Sequence, residues 1–329
     1  MTESESCIII GAGISGLLAA QRLMRYDMDV TIIEKGRSVG GRMAVKHIGD
    51  AVFDAGAQFV TTRDMIFRER VEFWLSKGEV KPWYPGPLKN MRYVGVDGMN
   101  KVPKRIGESL HTRLSEKAIK LKFAKKKWTV TTRPHGEKST NTYTADWLVM
   151  TAPVPQNMEL LEASKILLDY DDEEELKKIQ YIPCMTVLAQ LNGPSGLPNP
   201  GAMDLNHEVL RWIGDNHMKG ISPNPGSITL HCSPKFTAEN WDLPSEELIQ
   251  KVMTAAKPYL KADLVEAITH RWRYSDPVRI YREKHPFRKP YFIDEDLQLG
   301  MAGDGFNGAR LEAAGLSGME LASAIISPV

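Results

Sequence analysis

Two short runs near the start of the chain, Ser6-Cys7-Ile8-Ile9-Ile10 and Asp29-Val30-Thr31-Ile32-Ile33, are after their first residue continuously apolar or β-branched rather than alternating, the pattern of strands buried on both faces of a parallel sheet. Between them Ile14, Leu17, Leu18, Ala20 and Leu23 recur at helical spacing, which predicts a helix over residues 14–24. Helices are expected again over 65–77, 102–114 and 245–260, and the acidic stretch 169–178 is helix-like. Strands are expected over 118–123, 128–132 and 147–151, and then over 186–191, 209–213 and 228–232. The later strands alternate with Pro/Gly/Asn loops, as in an antiparallel sheet. The fold class is therefore α/β, with a nucleotide-binding domain built from both chain ends and a second domain on a mixed or antiparallel sheet with helices. Its boundaries are drawn at 1–70, 98–156 and 286–329 for the first domain, and 71–97 and 157–285 for the second.

The turn after the first run is Gly11-Ala12-Gly13-Ile14-Ser15-Gly16, and the second run ends on Glu34, 18 residues after Gly16. Strand, glycine turn, helix, strand and acid are the full context of a dinucleotide fingerprint. Gly11 permits the tight turn, Gly13 the approach of a pyrophosphate and Gly16 the packing of helix on sheet. Free N–H groups and the helix dipole face the phosphates, and Glu34 accepts from ribose hydroxyls. An acid there disfavours a 2′-phosphate, which leaves NAD or FAD. A second glycine loop follows at once, Lys35-Gly36-Arg37-Ser38-Val39-Gly40-Gly41-Arg42-Met43, and it implies a cofactor longer than NAD. Arg42 offers planar donors to a phosphate oxygen or forms a surface ion pair.

Composition narrows the partners. Of 329 residues, 42 are Lys or Arg and 41 Asp or Glu, so no overall field attracts nucleic acid or an anionic membrane. The lysine run from Lys117 to Lys127 reads as a solvated face. The three cysteines, Cys7, Cys184 and Cys232, lack metal-ligand spacing, so no metal is expected, and they fit a reducing, cytoplasmic compartment. No apolar run approaches the roughly 20 residues of a membrane span.

With Ala302-Gly303-Asp304 and Gly315-Leu316-Ser317-Gly318 near the end, the glycine motifs resemble those of the flavin-containing amine oxidase superfamily. Asp54-Ala55-Gly56-Ala57-Gln58-Phe59 and His270-Arg271-Trp272-Arg273-Tyr274 are most similar to the bacterial renalase-like proteins within it. The resemblance implies a glutathione-reductase-like fold and FAD held without a covalent bond, since no cysteine follows Cys232. It implies that Gly11, Ala12, Gly13, Ile14, Ser15, Gly16, Glu34, Lys35, Gly40, Gly41, Arg42, Met43, Gln58, Gly303, Asp304 and Leu316 line the cofactor. It also implies a small-molecule donor, a dihydro-isomer of NAD(P)H that gives hydride to the flavin, with oxygen as acceptor and hydrogen peroxide as product. Gln58 and Phe59 are the candidates beside the ring or simply pack the sheet, and His270 lines the site or is a core histidine. Arg271 faces substrate phosphates or a structural acid. The pattern places no lysine beside the flavin. Competing readings are an amine oxidase or a desaturase on the same cofactor domain, and a flavin-free binding protein on the same fold.

Overall fold

The run Ser6–Ile10 lies inside a six-stranded sheet whose order is Phe292–Asp294, Leu299–Met301, Trp147–Met150, Ser6–Ile10, Asp29–Ile33 and His111–Arg113. All neighbours are parallel except the first pair. Ile8, Ile9, Ile32, Ile33, Leu148 and Val149 are all buried, as a strand covered on both faces requires. This computed structural model describes residues 4–327. Its contacts divide the chain into two units, one of residues up to 41, 103–180 and from 277 on, the other of 42–102 and 181–276. Sequence composition had kept 42–70 with the first unit. Those residues instead share contacts with the second, because the hairpin of Val45–Ile48 and Ala51–Asp54 buries Ile48, Ala51 and Phe53 against Leu188 and Trp272.

In the first unit, helix Ile14–Met24 packs against helix Leu311–Ile326. Glycine makes the close approach possible: a Cβ on Gly318 would lie 2.2 Å from the Ser15 carbonyl oxygen, and one on Gly16 2.1 Å from that of Gly11. Gly318→Ala is therefore expected to cost about 1–3 kcal/mol, the range for overpacking. A thermal-unfolding midpoint equal to that of the parent would show that the helices part without penalty. A three-stranded antiparallel sheet of Glu116–Ala124, Lys127–Pro134 and Asn141–Ala145 completes this unit's strands. Lys117, Lys120, Lys122, Lys125 and Lys126 are exposed on it.

The helix expected over 102–114 is shorter. Lys101–Gly107 is helical, and His111–Arg113 joins the parallel sheet beside Thr31–Ile33. Gly107 packs against Val39, and the strand pairing available beyond it outweighs the helical periodicity. Likewise 245–260 ends as α-helix at Ala256, ahead of Pro258, and continues as a single 3₁₀ turn.

The second unit is built on a five-stranded sheet, ordered Ala202–Asp204, Leu210–Asp215, Ser227–Cys232, Gln180–Leu191 and Leu264–Arg279. Helix Ser245–Ala256 covers one face of it through Leu248, Val252 and Ala256. No helix among the described residues is long and apolar enough to cross a membrane.

Candidate functional site

In the first unit the fingerprint forms an open backbone cradle. Gly11 takes φ +109°, and its N–H donates to the Ile33 carbonyl at 2.8 Å. Gly13 caps helix Ile14–Met24 in extended conformation, and a Cβ there would meet nothing within 4 Å. The second glycine loop closes beside it: the Gly40 N–H donates to the Ala12 carbonyl at 2.8 Å, and a Cβ on Gly41 would lie 3.6 Å from Gly13 Cα. At the C-terminal strand, Gly303 takes φ +145°, and its absent Cβ faces only the Thr151 carbonyl, at 3.9 Å. Gly13, Gly41 and Gly303 thus leave backbone bare where side chains would otherwise stand.

Glu34 ties the two loops together, one oxygen accepting from the Ala12 N–H at 2.8 Å and the other from the Gly36 N–H at 2.6 Å. Carboxylate oxygens each have lone pairs beyond these, so ribose hydroxyls have acceptors left. Lys35 reaches Gln156 at 3.0 Å. Ser15 Oγ is buried with no hydrogen-bond partner, which is rare unless a further group supplies one. Ile14 and Ala12 are buried with the core, Asp304 is buried at the head of the short helix Asp304–Asn307, and Leu316 is partly exposed beside buried Gly315 and Ser317. The open cradle, the helix N-terminus and the orphaned hydroxyl fit the dinucleotide half of FAD.

In the second unit, Met43 is buried, and Arg42 Nη1 donates to the carbonyls of Ser275 (2.8 Å) and Tyr274 (3.3 Å), which fixes the guanidinium from one edge. A Cβ on Gly56 would lie 2.1 Å from the Arg42 carbonyl oxygen, so this glycine is needed for the backbone of 55–57 to lie against 42. Gln58 is fully engaged by protein. Its amide nitrogen donates to the carbonyls of Asp54 (2.7 Å) and Gly56 (3.0 Å), and its oxygen accepts from Lys219 at 2.9 Å. Lys219 also pairs with Asp54 at 3.0 Å, and both side chains are completely buried. The other Asp54 oxygen accepts from the Met99 N–H at 2.7 Å. Burial pushes the Asp54 carboxyl up and the Lys219 ammonium down, each opposed by the other's charge. Lys219 Nζ also stands 4.9 Å from the Trp83 ring centroid. Phe59 is stacked: the Arg92 guanidinium lies 4.2 Å over its ring, and Trp212 is tilted against it at 5.8 Å. Arg92 also hydrogen-bonds the Tyr84 hydroxyl.

His270 packs on Trp272 at 4.2 Å, and burial with the nearby Lys46 charge lowers its pKa. Arg271 donates from Nε to the Trp241 carbonyl at 3.1 Å and from Nη2 to the Leu243 carbonyl at 2.5 Å. A second histidine, absent from the sequence reading, lies deeper. His231 is pushed down to about 3 by burial and by the charges of Arg211 and Lys219, with a hydrogen bond to the Ala55 carbonyl opposing. It is therefore neutral in the fold while an unfolded chain would bind a proton below about 6.5. Stability is expected to be full above that value and to be lost as pH falls toward 3, by about 3 kcal/mol at pH 4 from this group. Urea titrations of the parent and His231→Leu check this, since the variant's profile should be flatter between pH 6.5 and 4.

Lys219, Arg92 and His231, and the pairing of Asp54 with Lys219, are what sequence patterning missed. For Lys219 a sign was present: Asp215-Asn216 after an apolar strand marks a turn, and Asp215 Oδ1 accepts from the N–H groups of His217 (2.8 Å) and Met218 (3.0 Å), which returns Lys219 to the core. His231 sits in the strand Ser227–Cys232, buried at every position, and gives no such sign.

Comparison with known proteins agrees with this geometry. Residues 9–68 match the model of an NAD(P)-binding Rossmann-like domain, and residues 73–326 match that of flavin containing amine oxidoreductase. The chain is 25% identical to renalase of Mus musculus, over 91% of this chain and 92% of that one. It is also 31% identical to an L-amino acid dehydrogenase of Synechocystis, over 30% of this chain and 20% of the relative. Among solved structures it is similar in fold to a putative protoporphyrinogen oxidase from Exiguobacterium (TM-score 0.74, 14% identity, 99% of both chains). It is similar also to putrescine oxidase (TM-score 0.72, 14% identity, 98% of this chain and 99% of that one). A family model spanning 73–326, a Rossmann fingerprint with its acid in place and a backbone cradle that fits the cofactor lead to one assignment: the chain belongs to the flavin-containing amine oxidoreductase family and is an FAD-dependent oxidoreductase.

Proposed function

We propose that the protein is a renalase-like oxidase of dihydro-isomers of NAD(P)H. The likeness to mouse renalase along nearly the whole of both chains is the observation that carries this reading. Bound FAD supplies a hydride acceptor that oxygen returns to its oxidised state, with hydrogen peroxide as product. The bare backbone at Gly13, Gly41 and Gly303 receives the diphosphate, and Glu34 accepts from the adenosine ribose. In the second unit, Gln58 acts as a positioning residue: its amide is spent on Asp54, Gly56 and Lys219, so it fixes the turn that presents Phe59. The interior of that unit suits a reaction without a strong base, because His231 is neutral and Lys219 is held by Asp54. Loss of hydride from a dihydronicotinamide yields the aromatic ring directly, whereas a protonated amine must first give up a proton.

The test is an anaerobic absorbance record of the purified flavoprotein mixed with partly isomerised NADH. The expected result is rapid bleaching of the flavin band at about 450 nm by the isomers and not by pure NADH, followed by peroxide formation when air is admitted. Bleaching by amines and not by the isomers would overturn this reading in favour of amine oxidation.

A further inference from the structure

In the first unit, the segment that follows residue 277 and the helix Tyr170–Lys177 border a cleft of about 820 Å³, within the size range of small-molecule sites. The segment is pinned at both ends. The Tyr281 N–H donates to the Gly305 carbonyl at 2.9 Å, the Tyr281 hydroxyl donates to Asp172 Oδ1 at 2.8 Å, and Arg282 Nη2 reaches the same oxygen at 2.6 Å. Further along, Arg288 donates to the Phe306 carbonyl. Between these anchors Arg282 takes φ +43°, a left-handed conformation, and its carbonyl accepts from the His285 N–H at 2.8 Å. A non-glycine residue held there belongs to a loop whose shape is imposed by its surroundings, as a preformed site requires.

Three kinds of surface line the cleft. Arg279, Arg282 and Lys284 are cationic, and among the described residues the side chains of Arg279 and Lys284 make no hydrogen bond or ion pair. His285 adds a further donor: its Nδ1 accepts from the Phe287 N–H at 3.2 Å, so the neutral ring carries its proton on Nε2. Glu175 and Glu283 are the carboxylates. The Lys178 hydrogen bond at 2.6 Å holds Glu175 below its ordinary value, with the charges of Arg279 and Arg282 acting in the same sense. Val278, Ile280 and Pro286 are apolar. Each kind has its use on one class of ligand. Guanidinium and ammonium groups hold phosphates, ionised carboxylates accept from sugar hydroxyls, and an apolar wall takes the face of a base. A bare inorganic anion uses only the first of the three.

We propose that this cleft binds a ribonucleoside diphosphate, with Arg279 and Lys284 on the phosphates, Glu283 on the ribose hydroxyls, and Val278, Ile280 and Pro286 against the base. It is lined by none of the glycine-loop residues 11–16 and 36–41 of the cofactor cradle, yet its frame is bonded to Gly305 and Phe306, next to Asp304. Two sources carry this chemistry: the adenosine diphosphate half of a dinucleotide donor, which rests on the renalase-like reading, and a free nucleotide, which does not.

The experiment titrates the FAD-loaded protein with ADP and with adenosine by calorimetry, while the flavin absorbance shows whether FAD stays bound. ADP is expected to bind saturably, and adenosine at least about tenfold weaker because it lacks the charged contacts. The double variant Arg279→Gln/Lys284→Gln changes two exposed side chains and should weaken ADP about tenfold, and Glu283→Ala about threefold. Lys289→Gln, at an exposed lysine outside the lining, should leave ADP binding unchanged. No ADP binding, adenosine bound as tightly as ADP, ADP that binds only as FAD leaves, or a Glu283→Ala protein that binds ADP more tightly overturns the proposal. So does ADP binding that the double variant leaves unaltered, or that Lys289→Gln weakens as much, since the latter marks attraction to a basic surface in general. The source is read from isomer oxidation. ADP that raises KM for the isomers in the parent but not in the double variant assigns the cleft to the donor's own diphosphate, and ADP that binds without changing KM assigns it to a free nucleotide. Isomers that reduce the flavin of a protein that binds no ADP refute only the cleft. ADP bound as expected by a protein that no isomer reduces refutes only the reaction.

Discussion

Replacing Gly13 with valine is expected to yield a folded protein that retains no flavin. Gly13 has φ −73° and ψ 175°, a region open to any residue, so the backbone is not strained by a side chain. A Cβ there meets nothing within 4 Å, so nothing in the protein is displaced either. The space that the valine fills is that above the N-terminus of helix Ile14–Met24, where N–H groups and the dipole hold a diphosphate. Loss of that close approach removes several charge-assisted hydrogen bonds at about 1.5–3 kcal/mol each, so affinity falls by at least about a hundredfold. The measurement is the flavin-to-protein absorbance ratio after reconstitution with FAD, alongside circular dichroism. Gly16→Val is the contrast, because its Cβ would strike the Gly11 carbonyl oxygen at 2.1 Å and disturb the fold itself. A Gly13→Val protein with normal flavin content would place the diphosphate elsewhere.

Lys219→Met is expected to be the most destabilising single change in the second unit. The ammonium holds Asp54 and Gln58, and through them the turn 54–58; no part of the Lys219 or Asp54 side chain reaches water. Removing one partner of a buried ion pair costs about 3–5 kcal/mol, because the other is left as an uncompensated charge. In the variant Asp54 loses the charge that opposes its desolvation, so its folded pKa, already raised in the parent, rises further above the unfolded value. A group of that kind weakens the fold as pH rises. Stability of Lys219→Met should thus improve on going from pH 8 to pH 5.5, and the double variant Lys219→Met/Asp54→Asn should recover part of the loss at pH 8. Urea midpoints for the three proteins measure both effects. A single variant within about 0.5 kcal/mol of the parent would show that the pair contributes nothing that methionine packing does not replace.

The parts of the fold legible in the sequence are those in which one residue type has one physical reason. Continuous Ile/Val runs mark strands buried on both faces, and Ser6–Ile10 and Ile14–Met24 appear in the structure with the expected bounds. The long strand Leu264–Arg279 was invisible because it pairs along a sheet edge and is half-buried along most of its length, so neither alternation nor a continuous apolar run marks it. Helices Val154–Ala163 and Pro234–Glu239 went unmarked in the sequence, and each carries a proline in its first turn, where proline sacrifices no hydrogen bond. The same division applies to the site. Glycines at Gly11, Gly13 and Gly303 declare backbone requirements that a sequence can carry. The Asp54–Lys219 pair joins residues 165 apart and the neutral state of His231 depends on burial, and nothing local in the chain encodes either.

The order of strands in the parallel sheet also governs how the chain comes off the ribosome. Ser6–Ile10 is paired with Trp147–Met150, which is paired in turn with Leu299–Met301, and helix Ile14–Met24 is covered by Leu311–Ile326. During synthesis at roughly 5–20 residues per second, the apolar face of the first helix therefore waits until residues 311–326 have been made before its native cover exists. Until then Leu17, Leu18 and Leu23, all buried at the end, are open to chaperones and to other nascent chains. Closure of the cofactor cradle thus waits on the synthesis of helix Leu311–Ile326.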